Sequence, residues 1–322
     1  MNLYPFKFYP ILKERLWGGS KLGSVLGKDL NSDLVGESWE ISGVAGDVSI
    51  VANGVLKGNT LIDLIDKFPE EILGESVLER FGKEFPVLIK FIDAHKDLSV
   101  QLHPNDELAR KRHNSFGKTE MWYVMDADKD AQLIVGFKEG ISKETYIESL
   151  KNDSLLEKLN YENVREGDAF FISAGTIHAI GAGVLIAEIQ QTSDLTYRVY
   201  DYNRKDAEGN FRELHSELSI DAINYERQED FRINYGKEPN VSNEMVNCPY
   251  FKTSILSLDK SLEFDVRHRD SFTIYMCLEG DASIKNDYGN INIKKGETVL
   301  VPAVTTTILL DTEGAKLLEI TI

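Results

Sequence analysis

The chain has 322 residues, 42% of them hydrophobic and 10% aromatic, a balance that excludes a disordered chain and favours two compact domains over one. A formal net charge of -17, with a pI near 4.9, excludes a nucleic-acid binder, because such proteins neutralise phosphates with Lys and Arg. Two cysteines, Cys248 and Cys277, stand in no metal or redox spacing, and Cys277 in its apolar run reads as a reduced core thiol. Met1 to Pro10 holds no apolar signal core and no segment is long enough to span a bilayer, so a cytoplasmic protein without a membrane partner is expected.

In chain order, most of the sequence reads as short strands between Gly, Asn and Asp turns. Pro10 to Gly23 reads as a loop in which Trp17 precedes the pair Gly18 and Gly19. Gly36 to Ser42 reads as a strand with Ser38, Glu40 and Ser42 on one face. From Asn59 to Leu73 the period changes: Leu61, Leu64, Ile65 and Phe68 line a helical face, with Asn59 or Thr60 as N-cap. Strands resume at Pro86. In Leu98 to Pro104 the alternation puts Ser99, Gln101 and His103 on one face of an apolar strand. Gly117 to Met125 is a further strand, entered through a polar corner. Ser142 to Asn160 reads as helix in two pieces, the first capped by Ser142 and the second by a Ser154 and Glu157 capping box. A short helix is expected around Ser216 to Tyr225, and from about Asn240 the chain returns to strands.

A weak internal repeat organises these elements. Gly167-Asp-Ala-Phe-Phe-Ile-Ser-Ala aligns with Gly296-Glu-Thr-Val-Leu-Val-Pro-Ala, and Trp122 to Met125 corresponds to Tyr275 to Leu278. Two β-barrel domains follow, residues 1–235 and 236–322. In this register Thr307 stands where the first copy has His178, and Thr273 where it has Glu120. Chemistry is therefore expected in the first domain.

The stretch from Gly175 to Arg204 carries His178 at a glycine-rich turn, Glu188 inside an apolar strand, and Arg198 ten positions later. Catalytic zinc sites commonly use three protein ligands and leave a position for water or substrate. His103, Glu120 and His178 supply two histidines and a carboxylate, and Gln101 can add a carbonyl oxygen; the same set also suits ferrous iron. Taken singly, His103 before Pro104 reads as a turn histidine and Glu120 as a surface strand residue. His95, His113, His215 and His268 lie in charged stretches and read as solvated, as do Arg15 and Lys21 beside the Trp-Gly-Gly loop. Burial of Glu188 is expected to raise its pKa towards a value useful for proton transfer, and a structural pairing with Arg198 accounts for it equally well. Asp201 and Arg204 are expected to form a salt bridge that stiffens the Arg198 segment.

Leu16-Trp17-Gly18-Gly19, Gly36 to Ser42, Leu98 to Pro104, Gly117 to Trp122 and nearly all of Gly175 to Arg204 occur in an order that resembles the type I mannose-6-phosphate isomerases (phosphomannose isomerases), particularly the short bacterial form. The resemblance runs from about Pro5 to Tyr225. It implies a cupin, or jelly-roll, fold: mainly β, with two barrels, the second degenerate, and a few short helices. It also implies one zinc ion per chain on residues matching Gln101, His103, Glu120 and His178. The implied reaction interconverts D-mannose 6-phosphate and D-fructose 6-phosphate by proton transfer between C1 and C2 through an enediol(ate). Arg198 matches the family's catalytic arginine, Glu188 an acid discussed as proton carrier, and Lys118 a lysine that reaches the phosphosugar substrate; Trp17 is expected against the substrate too. The chain departs from the family at Gly117, where longer members carry a histidine, and at Ser173, which replaces a proline. On this resemblance, the helical insertion of those longer members is expected to shrink to Ser142 to Asn160. A non-catalytic sugar-sensing cupin and an iron-dependent cupin oxygenase are the competing readings, and the expected assembly is a monomer or a homodimer.

Overall fold

The computed structural model describes residues 3–205, 208–226 and 230–322. Eleven strands precede residue 201: β1 (Ile11–Gly19), β2 (Val35–Ile41), β3 (Val87–Ala94), β4 (Val100–Leu102), β5 (Glu120–Ala127), β6 (Gln132–Phe137), β7 (Leu159–Asn163), β8 (Ala169–Ile172), β9 (His178–Ile180), β10 (Val184–Gln191) and β11 (Tyr197–Tyr200). They form two antiparallel sheets, ordered β1-β2-β3-β10-β5-β8 and β11-β4-β9-β6-β7. The inner faces of both sheets share one apolar cluster, including Ile92, Val124 and Ile186 from the first and Leu133, Val135 and Ile180 from the second. Strands β3 and β10 are buried along their whole length, because the outer face of the six-stranded sheet is covered as well. That cover explains why Val87–Ala94 and Val184–Gln191 read as nearly continuous apolar runs rather than alternating ones.

The remaining strands are β12 (Ser242–Asn247), β13 (Lys252–Leu258), β14 (Leu262–Asp265), β15 (Thr273–Asn286), β16 (Gly289–Lys294), β17 (Thr298–Val301) and β18 (Thr307–Thr321). All belong to one further antiparallel sheet, whose interior is filled by Tyr275, Cys277, Val299 and Leu317 among others. The mainly β, two-barrel architecture implied by the motifs is the one present. Its outer face, through Ile274, Met276 and Ile320, packs on the outer face of the six-stranded sheet in the largest core cluster. Phe6 also pairs with Leu300 of β17, which ties the N-terminal stretch to the second barrel.

The repeat is visible in register. Glu120 lies opposite Ile172 in β5 and β8, and Thr273 lies opposite Val301 in β15 and β17, the positions the sequence alignment pairs. One more unit is repeated. Trp122 lies opposite Glu188 and donates Nε1–H to its Oε2 at 2.9 Å, while Tyr275 lies opposite Glu319 and donates its hydroxyl to Oε1 at 2.8 Å. The cation differs. Lys90 stands opposite Glu188, but Ser254 stands opposite Glu319, whose charge is met by Arg269 at 2.9 Å.

Three expectations change at the element level. Pro10 to Gly23 is largely strand, not loop: β1 pairs with β2, with register shifts between Glu14 and Gly19. A Cβ on Gly18 would lie 2.3 Å from the Leu34 carbonyl oxygen, so the glycine permits a close strand approach instead of a turn. The helical stretch after Asn59 is capped by Thr60, which forms a capping box with Asp63, and covers Leu61–Lys67; Pro69 opens a second helix, Pro69–Leu73, and Glu75–Phe81 a third. Ser142 caps Lys143–Lys151 as expected, whereas Ser154 makes no side-chain cap and precedes only a 3-10 turn at Leu155–Lys158. A helix at Asp106–His113, capped by Asn105, was not foreseen, and Ser216–Ala222 forms the expected later helix.

Candidate metal centre and substrate cleft

The site is built from two rows of side chains that face one another across the first barrel. On the five-stranded sheet, Arg198, Gln101 and His178 are direct register partners on β11, β4 and β9. On the six-stranded sheet, Lys90, Glu188 and Trp122 are direct partners on β3, β10 and β5. Residues opposite each other in antiparallel strands point to the same face, so each row presents its polar ends together. The Trp122 ring meets His178 edge-on, with centroids 5.3 Å apart, and joins the two rows.

His103, Glu120 and His178 converge at the end of these rows, with their ligand atoms within 4.8 Å of one another and all three residues buried. Each histidine has its outer nitrogen committed. His103 Nδ1 lies 2.7 Å from the Leu195 carbonyl oxygen and His178 Nδ1 lies 2.9 Å from that of Thr176. A carbonyl only accepts, so both Nδ1 atoms carry the proton and both Nε2 atoms present lone pairs. Those lone pairs face carboxylate oxygens: His103 Nε2 is 3.5 Å from Glu120 Oε2, and His178 Nε2 is 3.5 Å from Oε1. Acceptor faces acceptor. His103 Nε2 and both Glu120 oxygens are buried without a hydrogen-bond partner, a costly arrangement that a bound cation removes.

The neutral state of both histidines agrees with that geometry, and a Glu120 carboxylate is costly there without a cation beside it. Burial, then the charge of Lys118, holds His103 well below its ordinary value, and burial holds His178 down to about 4. Burial pushes Glu120 up to about 7 despite Lys118, whose Nζ lies 3.3 Å from Oε2. Gln101 stands beside the triad with its Nε2 3.4 Å from His178 Nε2 and its Oε1 3.4 Å from the Ser99 hydroxyl. Turning the amide over brings its oxygen to the other ligands and its NH2 to the Ser99 hydroxyl, which accepts as well as donates.

Glu188 departs from both expectations. Its ion-pair partner is Lys90, 3.2 Å away, not Arg198, because β10 and β11 belong to opposite sheets. Its pKa is lowered, not raised: burial pushes it up, but Lys90 and then Lys118 more than offset that. Arg198 instead donates from Nε to the Ser99 hydroxyl at 3.3 Å and from Nη1 to the Glu213 carbonyl at 3.0 Å. Lys118 remains protonated; burial lowers its pKa, and Glu120 and Glu188 raise it beyond that loss. Asp201 and Arg204 do form the expected ion pair.

Gln101, Lys118, His178, Glu188 and Arg198 line a cleft of about 500 Å³, together with Trp17, Thr196 and Asp194. Three lining groups were not singled out in the sequence, Lys90, Glu37 and Arg212, and a fourth, Arg15, read as solvated. Lys90 was legible as the one cation in Val87-Leu-Ile-Lys-Phe-Ile, a run otherwise apolar to Ile92. Glu37 lies on the face of β2 opposite Ser38 and Glu40, and accepts from Arg15 Nη2 at 2.9 Å and from Trp39 Nε1 at 2.7 Å. Arg15 is thus a cleft residue, whereas Lys21 is bound to Asp126 and Asp128 outside it. Among the other histidines, His215 accepts from the Arg198 backbone N–H at 3.2 Å and His113 lies 2.7 Å from the Tyr197 hydroxyl, so both brace β11. At Gly117, a Cβ would lie 2.6 Å from the Asp106 nitrogen, so this backbone has no room for the histidine of longer relatives.

Two jelly rolls, with a buried two-histidine, one-carboxylate cluster that among the described residues occurs in the first alone, define a two-barrel cupin with a candidate metal centre. Residues 6–135 match the model of the phosphomannose isomerase type I catalytic domain, and residues 242–318 that of the mannose-6-phosphate isomerase cupin domain. The chain is 38% identical over 307 residues to the mannose-6-phosphate isomerase ManA of Bacillus subtilis, covering 94% of each. It is 35% identical over 298 residues to the mannose-6-phosphate isomerase of Streptococcus mutans, covering 90% of each. The crystal structure of a Bacillus subtilis mannose 6-phosphate isomerase superposes with a TM-score of 0.89 at 30% identity, over 99% of this chain and 100% of that one. The chain belongs to the type I mannose-6-phosphate isomerases, a family of enzymes.

Proposed function

We propose that the chain is a zinc-dependent aldose–ketose isomerase that interconverts D-mannose 6-phosphate and D-fructose 6-phosphate in the cleft of its first barrel, within residues 1–235. Similarity over nearly the whole chain to mannose-6-phosphate isomerases of Bacillus subtilis and Streptococcus mutans supports this substrate. The observation that carries the metal is the set of opposed lone pairs on His103, Glu120 and His178. These three would hold the ion, with Gln101 as a fourth ligand once its amide turns over. Zinc bound there supplies a Lewis acid that polarises the oxygens on the reacting carbons.

The chain's own residues divide the remaining work. A proton must leave C2 of the aldose and arrive at C1. Glu188, in the cleft wall, can carry it: kept ionised by Lys90 and Lys118, it accepts a proton without first losing one. Trp122 fixes Oε2, so the carboxylate cannot rotate freely. Lys118, protonated beside Glu120, and Arg198, whose guanidinium keeps its proton, donate to oxygens on which negative charge develops in the enediolate. Trp17 gives the sugar an apolar wall.

The test is an assay coupled to fructose 6-phosphate formation, run before and after chelation, with metal content measured by elemental analysis. Turnover is expected to vanish on chelation and to return with zinc. Glu120→Ala is expected to weaken zinc binding by more than about 100-fold, the upper end for changes merely behind a ligand. Full turnover after complete metal removal, or full zinc occupancy in the Glu120 variant, overturns the reading.

A further inference from the structure

Before β5 begins at Glu120, residues Phe116 to Thr119 turn a corner outside any strand, so their backbone groups need partners beyond the sheet ladder. Side chains supply most of them. Gly117 N–H donates to Asp106 Oδ1 at 2.8 Å and Thr119 N–H to Gln191 Oε1 at 2.8 Å, while Lys118 N–H reaches the Pro104 carbonyl at 3.2 Å. The Phe116 carbonyl accepts from the Ser193 hydroxyl at 2.9 Å. Gln191 closes the circuit: its own N–H donates to the Thr119 carbonyl at 3.1 Å, and its Nε2 donates to Asp106 Oδ1 at 3.1 Å. One carboxylate oxygen therefore ties down both residues that flank Lys118, Gly117 directly and Thr119 through the Gln191 amide.

The other oxygen of Asp106 is taken by the second barrel. Tyr250, in the turn between β12 and β13, donates its hydroxyl to Oδ2 at 2.6 Å. Burial, and next the Asp106 carboxylate, holds that hydroxyl up to about 12, so it stays a donor. The turn is anchored in its own right: Phe251 is buried in the apolar cluster that the two barrels share, and Cys248 N–H closes on the Phe251 carbonyl at 3.1 Å. Asp106 also opens the helix Asp106–His113, where an acid suits the helix dipole. The dipole accounts for a carboxylate at that position. It does not account for a hydroxyl brought from the other barrel, or for the corner packed against the same group. A Cβ on Gly117 would lie 3.0 Å from Asp106 Oδ1, so glycine lets the corner come within reach.

What the corner carries is Lys118, a buried side chain whose Nζ lies 3.3 Å from Glu120 Oε2 in the wall of the cleft. Glu120 is fixed by its strand, opposite Gln190 and Ile172. Lys118 lies outside the ladder and takes its direction from the corner. We propose that Asp106 and Tyr250 are positioning residues for the reaction: the second barrel holds Lys118 in the cleft of the first through the chain Tyr250, Asp106, Gln191. This rests on the role given to Lys118 above. An ammonium on a long flexible stem is aimed only as well as its base is held, and a displacement of about 1 Å can cost about 100-fold in rate.

The test compares wild type, Tyr250→Phe, Asp106→Asn and Asp106→Ala for kcat and KM with mannose 6-phosphate, for zinc content, and for hydrogen exchange at the Gly117 and Thr119 amides. Tyr250→Phe removes one hydroxyl and leaves the ring against the shared core. Its kcat is expected to fall roughly 5-fold with KM within about twofold, zinc retained, and both amides exchanging about 5-fold faster. Asp106→Ala removes the hub, with kcat expected to fall roughly 30-fold and exchange to quicken by a similar factor. Asp106→Asn keeps an acceptor for Gly117 and offers a donor to the Tyr250 hydroxyl, so it is expected to fall between wild type and the alanine variant. Exchange at both amides within about twofold of wild type in Tyr250→Phe and Asp106→Ala overturns the proposal. So does faster exchange with an unchanged kcat, or a loss of zinc in the Tyr250 variant, which would place the effect on the metal ligands. If the alanine variant does not fold, Tyr250→Phe and Asp106→Asn decide by the same criteria. A wild type that never turns over mannose 6-phosphate sinks the functional reading instead; the two amides then decide the link alone, faster exchange keeping it and unchanged exchange removing it.

Discussion

A lysine in the middle of an apolar strand persists only where a carboxylate meets it, and Lys90 meets Glu188 at 3.2 Å with both side chains buried. Lys90 also acts on Glu37. Burial pushes that carboxyl up, but Lys90 and Arg15 hold it down to about 2, against an ordinary 4.5. A depressed carboxylate contributes stability that is present above its unfolded pKa and is lost as pH falls from 4.5 towards 2. Wild type is therefore expected to lose more stability than Glu37→Gln between pH 5 and pH 3, read as the fall in urea midpoint. An equal fall in both would show that Glu37 is not held down by its partners. The cluster of His103, Glu120 and His178 was legible because histidines and an acid on otherwise apolar strands have few other uses. The Glu188 pairing was not, because a separation of ten residues does not say that the chain crosses from one sheet to the other between them. Arg212 was equally hidden, since the carboxylate it faces, Asp201, follows β11 and does not belong to its own segment.

At the scale of the element, the misread stretch is β1. A tryptophan followed by two glycines carries a turn signal, and turn chemistry normally wins such a reading. Here the glycine serves contact: Gly18 lies under the Leu34 carbonyl, and Gly36 would strike the Trp17 ring if it bore a Cβ. Gly18→Ala is expected to destabilise the protein by about 1–3 kcal/mol, the usual cost of overpacking, measured by chemical denaturation. A change within experimental scatter would mean that β1 can draw away from the Leu34 carbonyl without loss. Strands with clean alternation, such as Leu98 to Pro104, were legible down to the face: Ser99, Gln101 and His103 all turn to the cleft side. The helix at Asp106–His113 escaped because its sequence, Asp-Glu-Leu-Ala-Arg-Lys-Arg-His, offers almost no apolar stripe; capping by Asn105 and an acid-first, base-last charge order hold it.

For the molecule as a whole, the proposed division near residue 235 describes the path of the chain better than its stability. The largest apolar cluster takes residues from the six-stranded sheet and from β13, β15 and β18 alike, and Tyr250 donates to Asp106 at 2.6 Å across the same contact. A single calorimetric unfolding transition is expected, and two well-separated ones would show barrels that stand alone. The repeat could be read from sequence because glycine turns and β-branched strands leave a pattern; the packing of one barrel on the other could not, because it uses outer faces whose period says nothing of their partner. The Tyr275 and Glu319 unit has a consequence of its own. Arg269 binds both Glu319 and Thr273, the positions that match Glu188 and Glu120 in the first barrel. The second barrel thus carries a permanent, covalently tethered positive charge at positions that match those around the candidate metal centre of the first, so a chelator is expected to leave the charge balance of the second barrel unchanged.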